Sequence, residues 1–123
     1  MIRRPLFSVR SKSKHGNKKI VSDVQIFDSK REYLRYSGLK LEELGGLISG
    51  LKRQVPFVLA PSVRLAGEPR LKSALKYTAD FTYERDGVLI VEDAKSPHLR
   101  KETAYRIRKH LMKSVLNIDI VEV

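Results

Sequence analysis

The chain has 123 residues, 41% of them hydrophobic, and a formal net charge of +11; that is enough for one domain with a modest core. No apolar run approaches the roughly 18 residues of a membrane-crossing helix. The absence of cysteine excludes disulfides, thiolate zinc sites and cysteine nucleophiles.

The basic first residues are not followed by an apolar signal core, so no membrane association is expected and the cytoplasm is the expected location. The charge is uneven. Residues 1–20 carry seven bases and no acid, and residues 99–113 carry six bases against Glu102 alone. Two basic flanks around a near-neutral middle fit a clamp on a polyanion backbone, so nucleic acid is the expected partner, against the alternative of a soluble basic domain with a disordered tail.

Residues 1–19 read as a mobile basic arm with a short strand near Leu6–Val9, and residues 20–123 as a single domain. Ile20 to Phe27 alternates loosely, as a short strand or hairpin would. Asp28-Ser29 can cap a helix, and Glu32 stands at capping-box distance from Ser29. The helix is expected over Lys30–Leu44, ended by Gly45-Gly46, with Tyr33, Tyr36 or Ser37, Lys40 or Leu41, and Leu44 at helical spacing, as are Leu34 and Leu41.

A strand follows over Gln54–Leu59, then a surface loop over 61–71. Leu75 to Tyr83 alternates strongly, Arg85-Asp86-Gly87 signals a hairpin turn, and Val88–Lys95 is the next strand. Thr103 is expected to cap a second helix running to Leu116, with Ala104, Ile107, Leu111 and Val115 as its buried stripe. Ile118–Val123 closes the chain as a strand. The order helix, three strands, helix, strand places the fold in the α/β class, with a small central mixed sheet flanked by helices.

Val91-Glu92-Asp93-Ala94-Lys95 is the unusual segment. An ionised group inside a buried strand is costly unless it is paired or binds metal. Strand alternation puts Asp93 and Lys95 on one face and Glu92 on the other, and a β-bulge would exchange Glu92 with Asp93. Across the hairpin, Asp80 faces the same end, so Asp80, Asp93 and Lys95 can converge. Two acids suit a hard divalent cation, with the Ala94 carbonyl as a further oxygen, and a lysine can serve a water or a phosphate. The same pattern also fits a structural ion pair on a solvent-facing sheet.

Gln54 stands beside this site, where it can touch a phosphate or a metal-bound water, or simply make a strand-edge hydrogen bond. Tyr105, Arg108 and Lys109 read as the exposed side of the last helix, and with Lys18 and Lys19 they are candidate backbone contacts or an ordinary solvated surface. His15, His98 and His110 have no metal-ligand spacing. The glycines Gly45, Gly46 and Gly50 form no phosphate loop, and no serine has a partnered histidine and aspartate, so neither an organic cofactor nor a hydrolase triad is implied.

These motifs resemble the PD-(D/E)XK nuclease superfamily. Ala79-Asp80-Phe81 matches its first acid motif, with Ala where Pro is usual. Asp93-Ala94-Lys95 matches the second, and Glu32 the acid of the early helix. The order through Gly16-Asn17-Lys18-Lys19, Phe27-Asp28-Ser29, Gln54, Tyr77, Glu92 and Thr103 to Lys109 is similar to a small phage-encoded family akin to Holliday-junction resolvases. The resemblance implies a restriction-endonuclease-like core and a metal-dependent DNA endonuclease acting on branched DNA as a homodimer. It implies Mg²⁺ or Mn²⁺ held by Asp80, Asp93 and Glu32, with Lys95 completing the catalytic set. A non-catalytic basic nucleic-acid-binding protein of a phage is the alternative, and a basic structural protein of a phage particle a third.

Overall fold

The structure is a computed structural model and describes residues 8–12, 18–22, 25–27 and 29–123, with side chains from Phe27 and from residue 29 onward. Strands β1 (Ser8–Lys12), β2 (Lys18–Ser22) and β3 (Gln25–Phe27) form an antiparallel sheet in that order. The expected arm over 1–19 therefore contains β1, and its boundary cuts through β2. The short strand expected near Leu6–Val9 lies at Ser8–Lys12, paired with β2 through Ser8–Val21 and Val9–Ile20.

Helix α1 (Lys30–Leu44) has the expected bounds because both ends carry strong local signals. The Glu32 amide donates to Ser29 Oγ at 3.1 Å. At the other end Gly46 takes φ +79°, and Leu47 N and Gly46 N donate to the carbonyls of Glu42 and Glu43. That is a Schellman closure, which needs the left-handed conformation glycine adopts without strain.

The orientation of α1 differs from expectation. Glu32 and Leu39 are buried, while Leu34, Leu41 and Leu44 are exposed at 57%, 70% and 82%. The helix turns its long charged side chains toward the sheet because buried partners wait there, and those contacts outweigh the apolar stripe.

The second sheet is mixed, ordered β4 (Ser49–Ala60), β5 (Leu75–Arg85), β6 (Val88–Asp93) and β7 (Ile120–Glu122). The first three are antiparallel; β7 runs parallel to β6, which requires the crossover supplied by helix α2 (Thr103–Leu116). The protein is α/β: a four-stranded mixed sheet with two helices. β4 starts five residues before expectation and tolerates Pro56 because it is an edge strand. Asp86 (φ +53°) and Gly87 (φ +78°) make the tight β5–β6 turn. The 61–71 segment is exposed throughout, as expected of a loop.

Two apolar clusters hold the sheet. Leu59, Tyr77, Ala79 and Val91 pack with Tyr105 and Met112 of α2. Phe81 and Tyr83 pack with Leu39 of α1 and with Ile48. Full burial of each large side chain contributes about 1.5–3 kcal/mol. Along β5 the apolar residues keep one alternation phase, yet they change cluster between Ala79 and Phe81. Along β4, Leu51 joins the second cluster and Phe57 the first. The change falls at Asp80 and at its cross-strand neighbour Gln54, which holds a left-handed φ of +52°. The sheet switches faces where the acids lie.

α2 also departs from the expected face. Its N-cap is Glu102 with no side-chain cap bond, so Thr103 is its first residue rather than its cap. Tyr105 and Met112 are buried; Ile107 and Val115 are about half exposed, Ala104 is exposed, and Leu111 is half-buried against the first cluster. Asn117 ends the helix in the left-handed conformation (φ +56°), which asparagine tolerates. A 3₁₀ turn at Leu99–Lys101 precedes it.

Candidate active site

Asp80 and Asp93 meet at the open end of the β5–β6 hairpin. The ladder ends at the pair Phe81–Glu92, and Asp80 and Asp93 are the next residues on the two strands. Asp80 is fixed from two sides: the Ala94 amide donates to its Oδ2 at 2.8 Å, and Gln54 Nε2 donates to its Oδ1 at 3.3 Å. Asp93 is only 3% exposed and accepts from the Tyr77 hydroxyl at 2.7 Å. Burial pushes its carboxyl up to about 7, a hydrogen bond shared with Asp80 and the Asp80 charge add to this, and Tyr77 and Lys95 oppose it. Burial and the neighbouring Asp93 charge push the Tyr77 phenol upward too, so Tyr77 stays a neutral donor.

Lys95 lies beyond the end of β6, and the ladder extends to it. Val123 N donates to Asp93 O at 3.0 Å, and Lys95 N donates to Val123 O at 3.1 Å. These bonds aim Lys95 Nζ back to 3.9 Å from Asp93 Oδ2 and over the Tyr105 ring at 5.0 Å. Arg100 Nε donates to the Lys95 carbonyl at 2.9 Å, bracing the loop.

Glu32 is 3% exposed and approaches from α1. Gln54 Nε2 donates to it at 3.0 Å, so one amide bridges Glu32 and Asp80. Arg53 Nη2 also donates to Glu32, at 3.2 Å, while its guanidinium stacks 3.9 Å from the Phe27 ring centre. Gln54 stays in register opposite Asp80 with a left-handed backbone, and its side-chain amide reaches both acids.

Glu92 lies on the other side of β6. It is 1% exposed and forms a fork with Arg35, at 2.7 Å from Nε and 2.6 Å from Nη2, and it accepts from the Tyr83 hydroxyl. The hydrogen bonds to Glu92 raise the Arg35 guanidinium further above its ordinary value. No bulge exchanges Glu92 with Asp93.

The other expected contacts are placed differently. Tyr105 is buried rather than exposed, and its hydroxyl donates to Glu122 at 2.7 Å. Arg108 Nε donates to the Lys76 carbonyl at 3.0 Å, tying α2 to β5, and Lys109 Nζ lies 3.2 Å from Glu122. These three residues form the inward or flanking side of α2, because α2 packs through Tyr105 and Met112. Lys18 and Lys19 open β2, and their side chains lie outside the described residues.

The donor set suits a hard cation. The Asp80 charge acts on the buried Asp93 carboxyl, and a divalent ion between the two would relieve their repulsion. Among the described residues, no three Asp, Glu, His or Cys side chains gather into one metal-holding group. Glu32 is engaged by Arg53 and Gln54 instead of joining the pair.

A family model described as "Protein of unknown function (DUF1064)" matches residues 12–119. The chain belongs to that family. No curated protein matches it. No solved structure matches it. In this DUF1064 chain, several site-supporting residues have no motif of their own. Tyr77 was hidden because simple alternation puts it on the face of Phe81, away from Asp93. Arg35 lies inside the expected helix and Arg53 just before the expected strand, and nothing in the sequence marks either as the partner of a buried acid. The one available signal was the left-over acid Glu92, which called for a buried cation.

Proposed function

We propose that the protein is a metal-dependent endodeoxyribonuclease of the PD-(D/E)XK type that hydrolyses phosphodiester bonds, with branched DNA as its substrate. The convergence of Asp80, Asp93 and Lys95 at one end of the hairpin carries this reading, and the order of elements and the +11 charge support it.

Asp80 and Asp93 would hold Mg²⁺ or Mn²⁺, with Glu32 positioned through Gln54. The ion would polarise the phosphodiester and acidify an attacking water. Lys95 would orient that water or offset the charge developing on the phosphate oxygens. Tyr77 and the Ala94 amide hold the two carboxylates in place, which limits reorganisation during the reaction. Cutting two strands symmetrically calls for two sites, so the proposal includes a homodimer acting on DNA in the cytoplasm. Among the described residues no helix is long and apolar enough to cross a membrane.

Labelled junction, flap, duplex and single-stranded DNA incubated with purified protein and Mg²⁺ or Mn²⁺ tests this. Metal-dependent cleavage, strongest on the junction, is expected; intact substrates throughout would overturn it. A second reading, a non-catalytic nucleic-acid-binding protein, is favoured by the engagement of Glu32 with Arg53 and Gln54 away from the acid pair. DNA affinity without calorimetric Mn²⁺ binding would select it.

A further inference from the structure

We infer that the cleft between α2 and β7 is a phosphate site that holds the nucleic-acid backbone beside the acid pair. The inference rests on the nucleic-acid reading above, but not on cleavage. The cleft has a volume of about 410 Å³ and is lined by Arg100, Arg106, Lys109, His110 and Lys113.

Arg106, Lys109 or His110, and Lys113 recur at helical spacing, so they form one stripe along α2. With a rise of about 1.5 Å per residue the stripe spans roughly 10 Å, the axial reach of about three phosphates on one strand.

The acids of the cleft are already engaged. Lys113 pairs with Asp119 at 2.8 Å, and Lys109 with Glu122 at 3.2 Å. Arg100 and Arg106 form no ion pair among the described residues. Arg106 thus remains to meet an anion, Arg100 keeps its terminal nitrogens beyond its bond to the Lys95 carbonyl, and the exposed Lys113–Asp119 pair is weak enough for a phosphate to compete for Lys113; guanidinium also matches phosphate geometry.

Two residues that line the cleft also tie it to the acid site. Arg100 lines it and holds the Lys95 carbonyl, and Glu122 lines it and accepts from Tyr105, whose ring lies under Lys95. A strand seated there would extend from the scissile position along α2. The expected contacts Tyr105 and Arg108 are replaced in this role by Arg106 and Lys113, which are exposed.

The test is fluorescence anisotropy of a labelled duplex with the full chain in EDTA over a salt series. Arg106→Ala/Lys113→Ala should weaken binding about tenfold at low salt and flatten the log-affinity against log-salt slope by about 1.8, at roughly 0.9 per lost contact. Arg106→Lys should keep most of the affinity. Melting curves should show both variants folded, since an exposed pair contributes only about 0–1 kcal/mol.

Unchanged affinity and slope in the double variant would overturn the inference, as would wild-type protein that binds no DNA. Loss of binding in the double variant sustains it even where the wild type cuts nothing, an outcome that would sink only the nuclease reading.

Discussion

Glu92 and Asp93 are neighbours on β6, both carboxylates and both buried, yet they live in opposite surroundings. Glu92 has a forked guanidinium and a phenol, a complete set of donors. Asp93 has a phenol, a lysine at 3.9 Å and another acid. A buried acid that meets its counter-charge inside the chain holds the fold together. A buried acid placed against another acid has its electrostatics left open, and a cation from outside would close them. The contrast separates scaffold from site within two residues.

Breaking the scaffold side should have the largest effect. Glu92→Ala leaves Arg35 and Tyr83 without their acceptor and should lower stability by about 3–5 kcal/mol, read as a large fall in the urea midpoint. A shift of under about 1 kcal/mol would show that the Arg35 fork is not structural.

Asp93→Asn should go the other way. The Asp93 carboxyl is raised to about 7 in the fold. A raised acid contributes stability that is full below its unfolded value and lost as pH rises through about 7. Metal-free wild type should therefore melt lower near pH 8 than near pH 5, and Asp93→Asn should flatten that slope and gain on the order of 1–3 kcal/mol near pH 8. Equal pH slopes in both proteins would remove the strain assigned to the acid pair.

Gln54→Ala is the finest probe, since it cuts only the bridge between Glu32 and Asp80. It should cost about 0.5–1.5 kcal/mol while weakening Mn²⁺ binding measured by calorimetry. Full Mn²⁺ affinity in that variant would separate Glu32 from the site.

Much of this architecture was legible in sequence where the signal was local. Ser29, Gly45-Gly46 and Asn117 bracket the helices because capping depends on a few adjacent residues. Asp86-Gly87 set the hairpin, and the hairpin aligned Asp80 with Asp93.

Helix faces were not legible. Hydrophobic periodicity assumes that apolar residues turn inward, but α1 turns Glu32 and Arg35 inward to serve Gln54, Arg53 and Glu92, and leaves Leu41 and Leu44 outside. α2 likewise turns in Tyr105 and Met112 rather than Ile107 and Val115. The change of faces at Asp80 and Gln54 was equally hidden, because a single left-handed residue in β4 leaves no trace in the alternation of its neighbours.

Cleavage of labelled junction DNA in Mg²⁺ by wild type and by Asp93→Asn, compared where both are folded by melting curve, tests the central claim most directly. The account predicts cleavage by the wild type and none by Asp93→Asn, with DNA binding retained by both. Cleavage by Asp93→Asn at the wild-type rate would contradict it.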